Sequence, residues 1–128
     1  MDIKSIHHVA IICLDYEASK KFYTEVLGFN VKSEHYRAER DSYKLDLCIH
    51  EQYQIELFSF PKSVERPTYP EARGLRHLAF AVEDIDAAIA DLRRKGIEPE
   101  DVRVDELTGK RYTFFKDPDG LPLELCEV

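Results

Sequence analysis

One structural unit is written twice along this chain, and that repetition constrains its fold more than any other feature. The stretch "IHHVAIICLD" at residues 6–15 returns as "LRHLAFAVED" at 75–84. His8 aligns with His77 at an offset of 69, and Val9, Ala10, Ile11 and Asp15 align at the same offset with Leu78, Ala79, Phe80 and Asp84. A helix-like segment follows in each copy, from Asp15 to Gly28 and from Asp84 to Gly96. The Asp can cap orphan N–H groups and the Gly can take the left-handed position that ends a helix. Ala18, Phe22 and Val26, and in the second copy Ala88, Ile89 and Leu92, recur at helical spacing. Phe29 and Ile97 follow the glycines and are expected to open the next strand.

The rest of each copy reads as strands. Residues 43–50 alternate apolar and polar with period two, and 53–60 follow after a tight turn. In the second copy, 111–117 leads into the turn signal "PDG" and then "LPLELCEV". Residues 61–74 carry Pro61, Pro67 and Pro70 and read as a linker. The expectation is an α+β fold of one domain over residues 1–128, ordered strand, helix, then three strands, twice. Module one spans about 4–61, the linker about 62–73 and module two about 74–128.

The last strand of each copy holds a carboxylate, Glu56 in "QIELF" and Glu124 in "PLELC". His8 and Glu56 are 48 residues apart, and His77 and Glu124 are 47 apart. Alternation puts Val9, Ile11, Ile55 and Leu57 on one face of the first copy and His8 and Glu56 on the other. In the second copy it separates Leu78, Phe80, Leu123 and Leu125 from His77 and Glu124. A single His or Glu on such a strand is ordinarily structural or solvated. Four at matching positions of two repeats point to a shared task. Two imidazoles and two carboxylates brought together need a cation, so His8, Glu56, His77 and Glu124 are the candidate ligands of one divalent metal. Nitrogen and oxygen donors without thiolate suit Zn, Ni, Mn, Co or Fe, and the spacing does not choose among them. An octahedral site with four protein ligands keeps two positions open.

Alternation turns His7 away from His8, and His35 and His50 have no partner under the offset. Cys13, Cys48 and Cys126 are odd in number and form no C-x-x-C, so they read as reduced thiols. A net charge of −7 opposes binding to nucleic acid or to an anionic membrane surface. No apolar run approaches the ~18 residues of a membrane span, and no signal segment opens the chain. A cytoplasmic protein acting on a small molecule is expected.

The segments "HHVAIICLD…FYTEVLGF", "IELF", "RHLAFAVED" and "FFKDPDGLPLELCE" resemble the vicinal oxygen chelate superfamily, also called the glyoxalase/bleomycin-resistance/dioxygenase fold. The resemblance covers essentially the whole chain, and "DPDG" followed by "LEL" is its sharpest part. It implies two βαβββ modules in a cupped mixed sheet with helices on the outer face. The ligand set looks most like that of glyoxalase I, which implies a homodimer. Residues that help hold glutathione in the bacterial enzymes, an Arg and an Asn, are replaced here by Ile12 and Phe60. Glutathione or another thiol as cosubstrate is therefore less well supported than the metal.

The expected chemistry is a lyase or isomerase reaction on a small 2-oxo or hydroxy-carbonyl compound, or its thiol adduct. The metal would polarise the carbonyl, and Glu56 or Glu124 would take and return the neighbouring proton through an enediolate. Arg73, Arg76 and Arg111 are candidates for anion recognition. Competing readings in the same fold are a fosfomycin-resistance-type thiol transferase or hydrolase, an epimerase and a dioxygenase. A small-molecule (drug) binding protein is the alternative from another class.

Overall fold

Both helix-like segments of the repeat fold as helices with an aspartate cap. In the computed structural model, which describes all 128 residues, α1 covers Tyr16–Lys21 and continues as a π-helical turn over Phe22–Val26. The Asp15 carboxylate accepts from the Ala18 N–H. Helix α2 covers Ile85–Arg94, and the Asp84 carboxylate accepts from the Ala87 N–H. Gly28 and Gly96 stop the two segments at φ of +77° and +83°, a backbone that a side chain would strain.

The chain divides into two units, Met1–Glu65 and Arg66–Val128. In the first, β1 (Val9–Cys13), β2 (Asn30–Arg37), β3 (Ser42–Ile49) and β4 (Gln52–Ser59) form a mixed sheet in the order β1-β4-β3-β2. In the second, β5 (Leu78–Val82), β6 (Arg103–Val104), β7 (Arg111–Lys116) and β8 (Pro122–Glu127) repeat the pattern as β5-β8-β7-β6. Each unit is therefore a βαβββ module whose first strand runs parallel to its last.

Each sheet buries one face. Ile11, Leu45, Leu47, Ile55 and Leu57 are buried in the first unit with Tyr16, Phe22 and Tyr23 of the helical segment. In the second, Phe115, Leu123 and Leu125 are buried with Ile85, Ile89 and Leu92 of α2. Burying apolar side chains of this size contributes roughly 1.5–3 kcal/mol each. The alternate positions are left for polar and aromatic side chains, and that open face carries the candidate site.

Two sequence expectations differ. His8 and His77 stand one residue ahead of β1 and β5 rather than inside them. Ile97 does not open a strand: the chain is irregular up to the two-residue β6, because Pro99 interrupts any ladder there.

Candidate functional site

Parallel pairing sets each histidine beside its glutamate. Ala10 lies opposite Glu56 and Ala79 opposite Glu124, so the residue two positions earlier in each case, His8 or His77, shares the face of the carboxylate. The His8 Nε2 lies 3.4 Å from Glu56 Oε2, and the His77 Nε2 lies 2.9 Å from Glu124 Oε2. The carboxylates are only 15% and 13% exposed, while the imidazoles are 38% and 36% exposed and can be reached from solvent. Neither unit gathers three or more His, Cys, Asp or Glu side chains into a metal-holding group by itself; each supplies a pair.

Metal–nitrogen bonds of 2.0–2.1 Å and metal–oxygen bonds of 2.0–2.2 Å place neighbouring ligand atoms about 2.9 Å apart in an octahedron and about 3.4 Å apart in a tetrahedron. Both pairs fall in this range. The donor chemistry of each pair, one imidazole and one carboxylate, fits a borderline divalent cation.

The same architecture is found across a known family. Residues 5–125 match the profile described as the Glyoxalase/Bleomycin resistance protein/Dioxygenase superfamily. The chain belongs to this superfamily. It is 64% identical over 127 residues to the uncharacterized protein YwkD of Bacillus subtilis (strain 168), covering 99% of both chains. It is 30% identical over 148 residues to the 2-epi-5-epi-valiolone epimerase of an Actinomyces species, covering 97% of this chain and 79% of that protein. The crystal structure of the glyoxalase family protein from Enterococcus faecalis superposes with a TM-score of 0.92 at 55% identity, covering 99% of this chain and 100% of that one.

In this glyoxalase-superfamily chain the two His–Glu pairs have different surroundings. Glu56 Oε1 accepts from the Tyr53 hydroxyl and lies 3.1 Å from Lys44 Nζ. The Tyr53 hydroxyl holds the Glu56 carboxyl below the usual carboxylate range, with burial opposing and Lys44 adding to the effect. Burial and the bond to Glu56 push the Tyr53 hydroxyl up. Glu124 has neither donor. Its companions on the open face are His77, the Phe114 ring edge-on to His77 at 5.2 Å between centroids, and Cys126. Burial, and then a hydrogen bond to Glu124, raise the Cys126 thiol to about 11, so it stays protonated.

Tyr53 was missed by alternation because it is three residues from Glu56, an odd spacing. The ladder shows why it still reaches. Leu47 pairs with Ile55 but Cys48 pairs with Tyr53, so Gln54 is an extra residue, a β-bulge that turns Tyr53 toward Glu56. A second bulge at Lys32, between the Val31 and Ser33 pairings of β2, brings the Lys32 ammonium over the Tyr53 ring at 4.5 Å. Lys44 and Asp46 did carry a signal, since both occupy the polar positions of an alternating strand.

The expectation for His7 is corrected. Its Nδ1 lies 2.8 Å from His8 Nδ1, and both rings contact Tyr53. Alternation holds as far as His8, which adjoins β1, but not for His7, one residue further from the strand. When His8 Nδ1–H is the donor of this bond, its Nε2 lone pair is free to bind a cation.

His35 and His50 are exposed, as expected, and the three cysteines are free thiols. Arg111 braces β7 to Glu127 at 2.6 Å and to Asp86 at 2.8 Å on the helix side of the sheet, so it is structural. Arg76 lies over the Tyr69 ring, and Arg73 is exposed. Ile12 is exposed and Phe60 stacks on Phe58, at the two positions where the resemblance leads one to look for glutathione-holding polar groups.

Proposed function

We propose that the chain is a glyoxalase I-like, metal-dependent enzyme, and that His8, Glu56, His77 and Glu124 together hold one divalent cation. Its reaction removes and returns a proton beside the carbonyl of a small 2-oxo or hydroxy-carbonyl compound or its thiol adduct. The observation that carries this reading is the recurrence, once in each unit, of an imidazole nitrogen 2.9–3.4 Å from a carboxylate oxygen on the open face of a sheet. Such a cation supplies positive charge that polarises a carbonyl and favours loss of the adjacent proton.

The surroundings of the two carboxylates separate their roles. Glu56 already receives Tyr53 and Lys44 on Oε1, which favours its anionic form and supports the role of a ligand. Glu124 lacks these fixed donors and lies against Phe114 and His77, so its carboxylate is the one to accept the substrate proton and give it back. His7 holds the His8 ring, and Tyr53 keeps Glu56 from swinging away.

Epimerisation beside a carbonyl uses the same removal and return of one proton. The similarity to 2-epi-5-epi-valiolone epimerase therefore favours a second reading, in which the product is the epimer of the substrate rather than its rearranged isomer. Elemental analysis of protein purified without added metal, paired with turnover of methylglyoxal with and without glutathione, tests the proposal. We expect about one metal per chain. Stoichiometric metal with no isomerisation of the thiol adduct would move the assignment to the epimerase; absence of metal, with no activity on adding Ni, Zn, Mn, Co or Fe(II), would remove the reading.

A further inference from the structure

Arg37, at the end of β2, carries a charge that no carboxylate of the protein answers. It appears in none of the ion pairs, and its one polar partner is the Ser42 hydroxyl, which accepts from Nη2 at 2.8 Å. Its Nε is buried and makes no hydrogen bond. The guanidinium carbon lies over aromatic side chains instead, 4.9 Å from the centre of the Phe58 ring and 5.8 Å from that of Phe60, and these two rings stack on each other. This is costly for an isolated cation, because a buried guanidinium donor without an acceptor loses its hydration and gains nothing polar in return. Contact with the two rings and the bond to Ser42 restrain the group, which favours recognition of an oxyanion by a planar guanidinium.

The position is also informative. Phe58 follows Glu56 by two residues on β4 and pairs with Lys44, so it shares the open face with the candidate site. Two residues along a strand is about 7 Å. The guanidinium held on Phe58 is thus within the length of a small molecule from the His8–Glu56 pair. An open surface depression at the turn after β2 is lined by Arg37, Ala38, Glu39 and Arg40. Two arginines against one glutamate make it locally cationic, although the chain carries a net charge of −7.

We propose that Arg37 is an anion-recognition residue of the substrate site, and that the substrate is a compact oxo- or hydroxy-acid whose carboxylate docks on this guanidinium. The assignment deepens the proposed function and rests on it for the identity of the reacting end. Phe58 and Phe60 restrain the guanidinium, Ser42 fixes one of its nitrogens, and the donors left over meet the carboxylate. The aromatic platform also fills the room near Phe60 with apolar surface, which suits a short acid better than a peptide-like thiol.

The test is a titration of isotopically labelled protein, as purified, followed by NMR. The probes are pyruvate, its uncharged methyl ester and inorganic phosphate, with the wild type compared with Arg37→Met and Arg37→Lys. Methionine keeps an apolar stem over Phe58 while removing the charge. Wild type is expected to prefer pyruvate over the ester by about tenfold or more, with perturbed signals at Arg37 and Phe58. Arg37→Met is expected to lose that preference, and Arg37→Lys to keep part of it. Equal binding of acid and ester by the wild type, or an unchanged preference in a folded Arg37→Met, would overturn the proposal. Phosphate binding more tightly than pyruvate in an Arg37-dependent way would overturn the carboxylate assignment. Metal content measured on the same samples separates the two readings. An Arg37-dependent preference in protein that binds no metal would leave this site standing and remove the metal enzyme, while unchanged metal with no preference would do the reverse.

Discussion

At the scale of single residues, the first unit differs from the second in what surrounds its carboxylate. Glu56 receives the Tyr53 hydroxyl and the Lys44 ammonium, whereas Glu124 faces Phe114. Removing one donor should therefore be felt at Glu56, the proposed ligand. Tyr53→Phe is expected to cost about 1 kcal/mol in denaturant unfolding, the worth of one hydrogen bond to a charged group less the burial it required. It should also lower metal affinity by about 10–100-fold in a competition assay with a chelator, since the group that orients the ligand is lost. Glu56→Gln should weaken metal loading and leave the circular dichroism spectrum unchanged; unaltered metal content would exclude Glu56 as a ligand. Glu124→Gln is expected to lower kcat by about 10²–10⁴, with any metal deficit corrected for, because the amide cannot take the proton. The two His–Glu pairs were legible in the sequence because a repeat and a period of two both point at them. Tyr53, His7 and Arg37 were not. Tyr53 depends on a bulge, His7 on backbone ahead of a strand, and Arg37 on which aromatic rings lie beneath it.

At the scale of elements, the helices are tied to their sheets by polar clamps as well as by apolar burial. In the first unit the Tyr16 hydroxyl and the Lys20 ammonium both reach Glu34 of β2, with Lys20 at 2.7 Å. Lys20, and then Tyr16, hold the Glu34 carboxyl below its ordinary value of 4.5. A depressed carboxylate stabilises the fold above that ordinary value and loses the contribution as pH falls through the lowered one. Glu34→Gln should therefore destabilise the protein at pH 7, and the gap to wild type should close as unfolding is followed down through pH 4.5 and below. The side chain is 35% exposed, so the Lys20 pairing contributes less than about 1 kcal/mol. In the second unit Arg111 joins Glu127 and Asp86, and Glu127 accepts from the Ile85 N–H at the start of α2. The caps and stops of both helices were written in Asp15, Gly28, Asp84 and Gly96. The shortness of β6 was not, because Ile97 carries a strand-like character that Pro99 overrides.

At the scale of the whole molecule, each unit holds one His–Glu pair, half of the proposed ligand set. If the two halves of one site come from different copies of a homodimer, mixing His8→Ala protein with Glu124→Gln protein should regenerate intact sites. About a quarter of wild-type activity would return after exchange of subunits, since half the dimers are mixed and half of their sites are whole. No recovery would assign each site to a single chain. No helix of the protein is long and apolar enough to cross a membrane. The duplication, the βαβββ order and the pairing of one His with one Glu in each unit were determined by the sequence alone, because local periodicity, capping residues and a repeat offset act through neighbours along the chain. Tertiary structure alone decided that Gln54 and Lys32 bulge, that Tyr53 thereby meets Glu56, and that Arg37 lies over Phe58 and Phe60 with no acid to meet it. The reason is physical: an inserted residue resets strand register and reverses which face every side chain beyond it occupies, and that reversal is fixed by the partner strand, which the alternation pattern of a single strand does not encode.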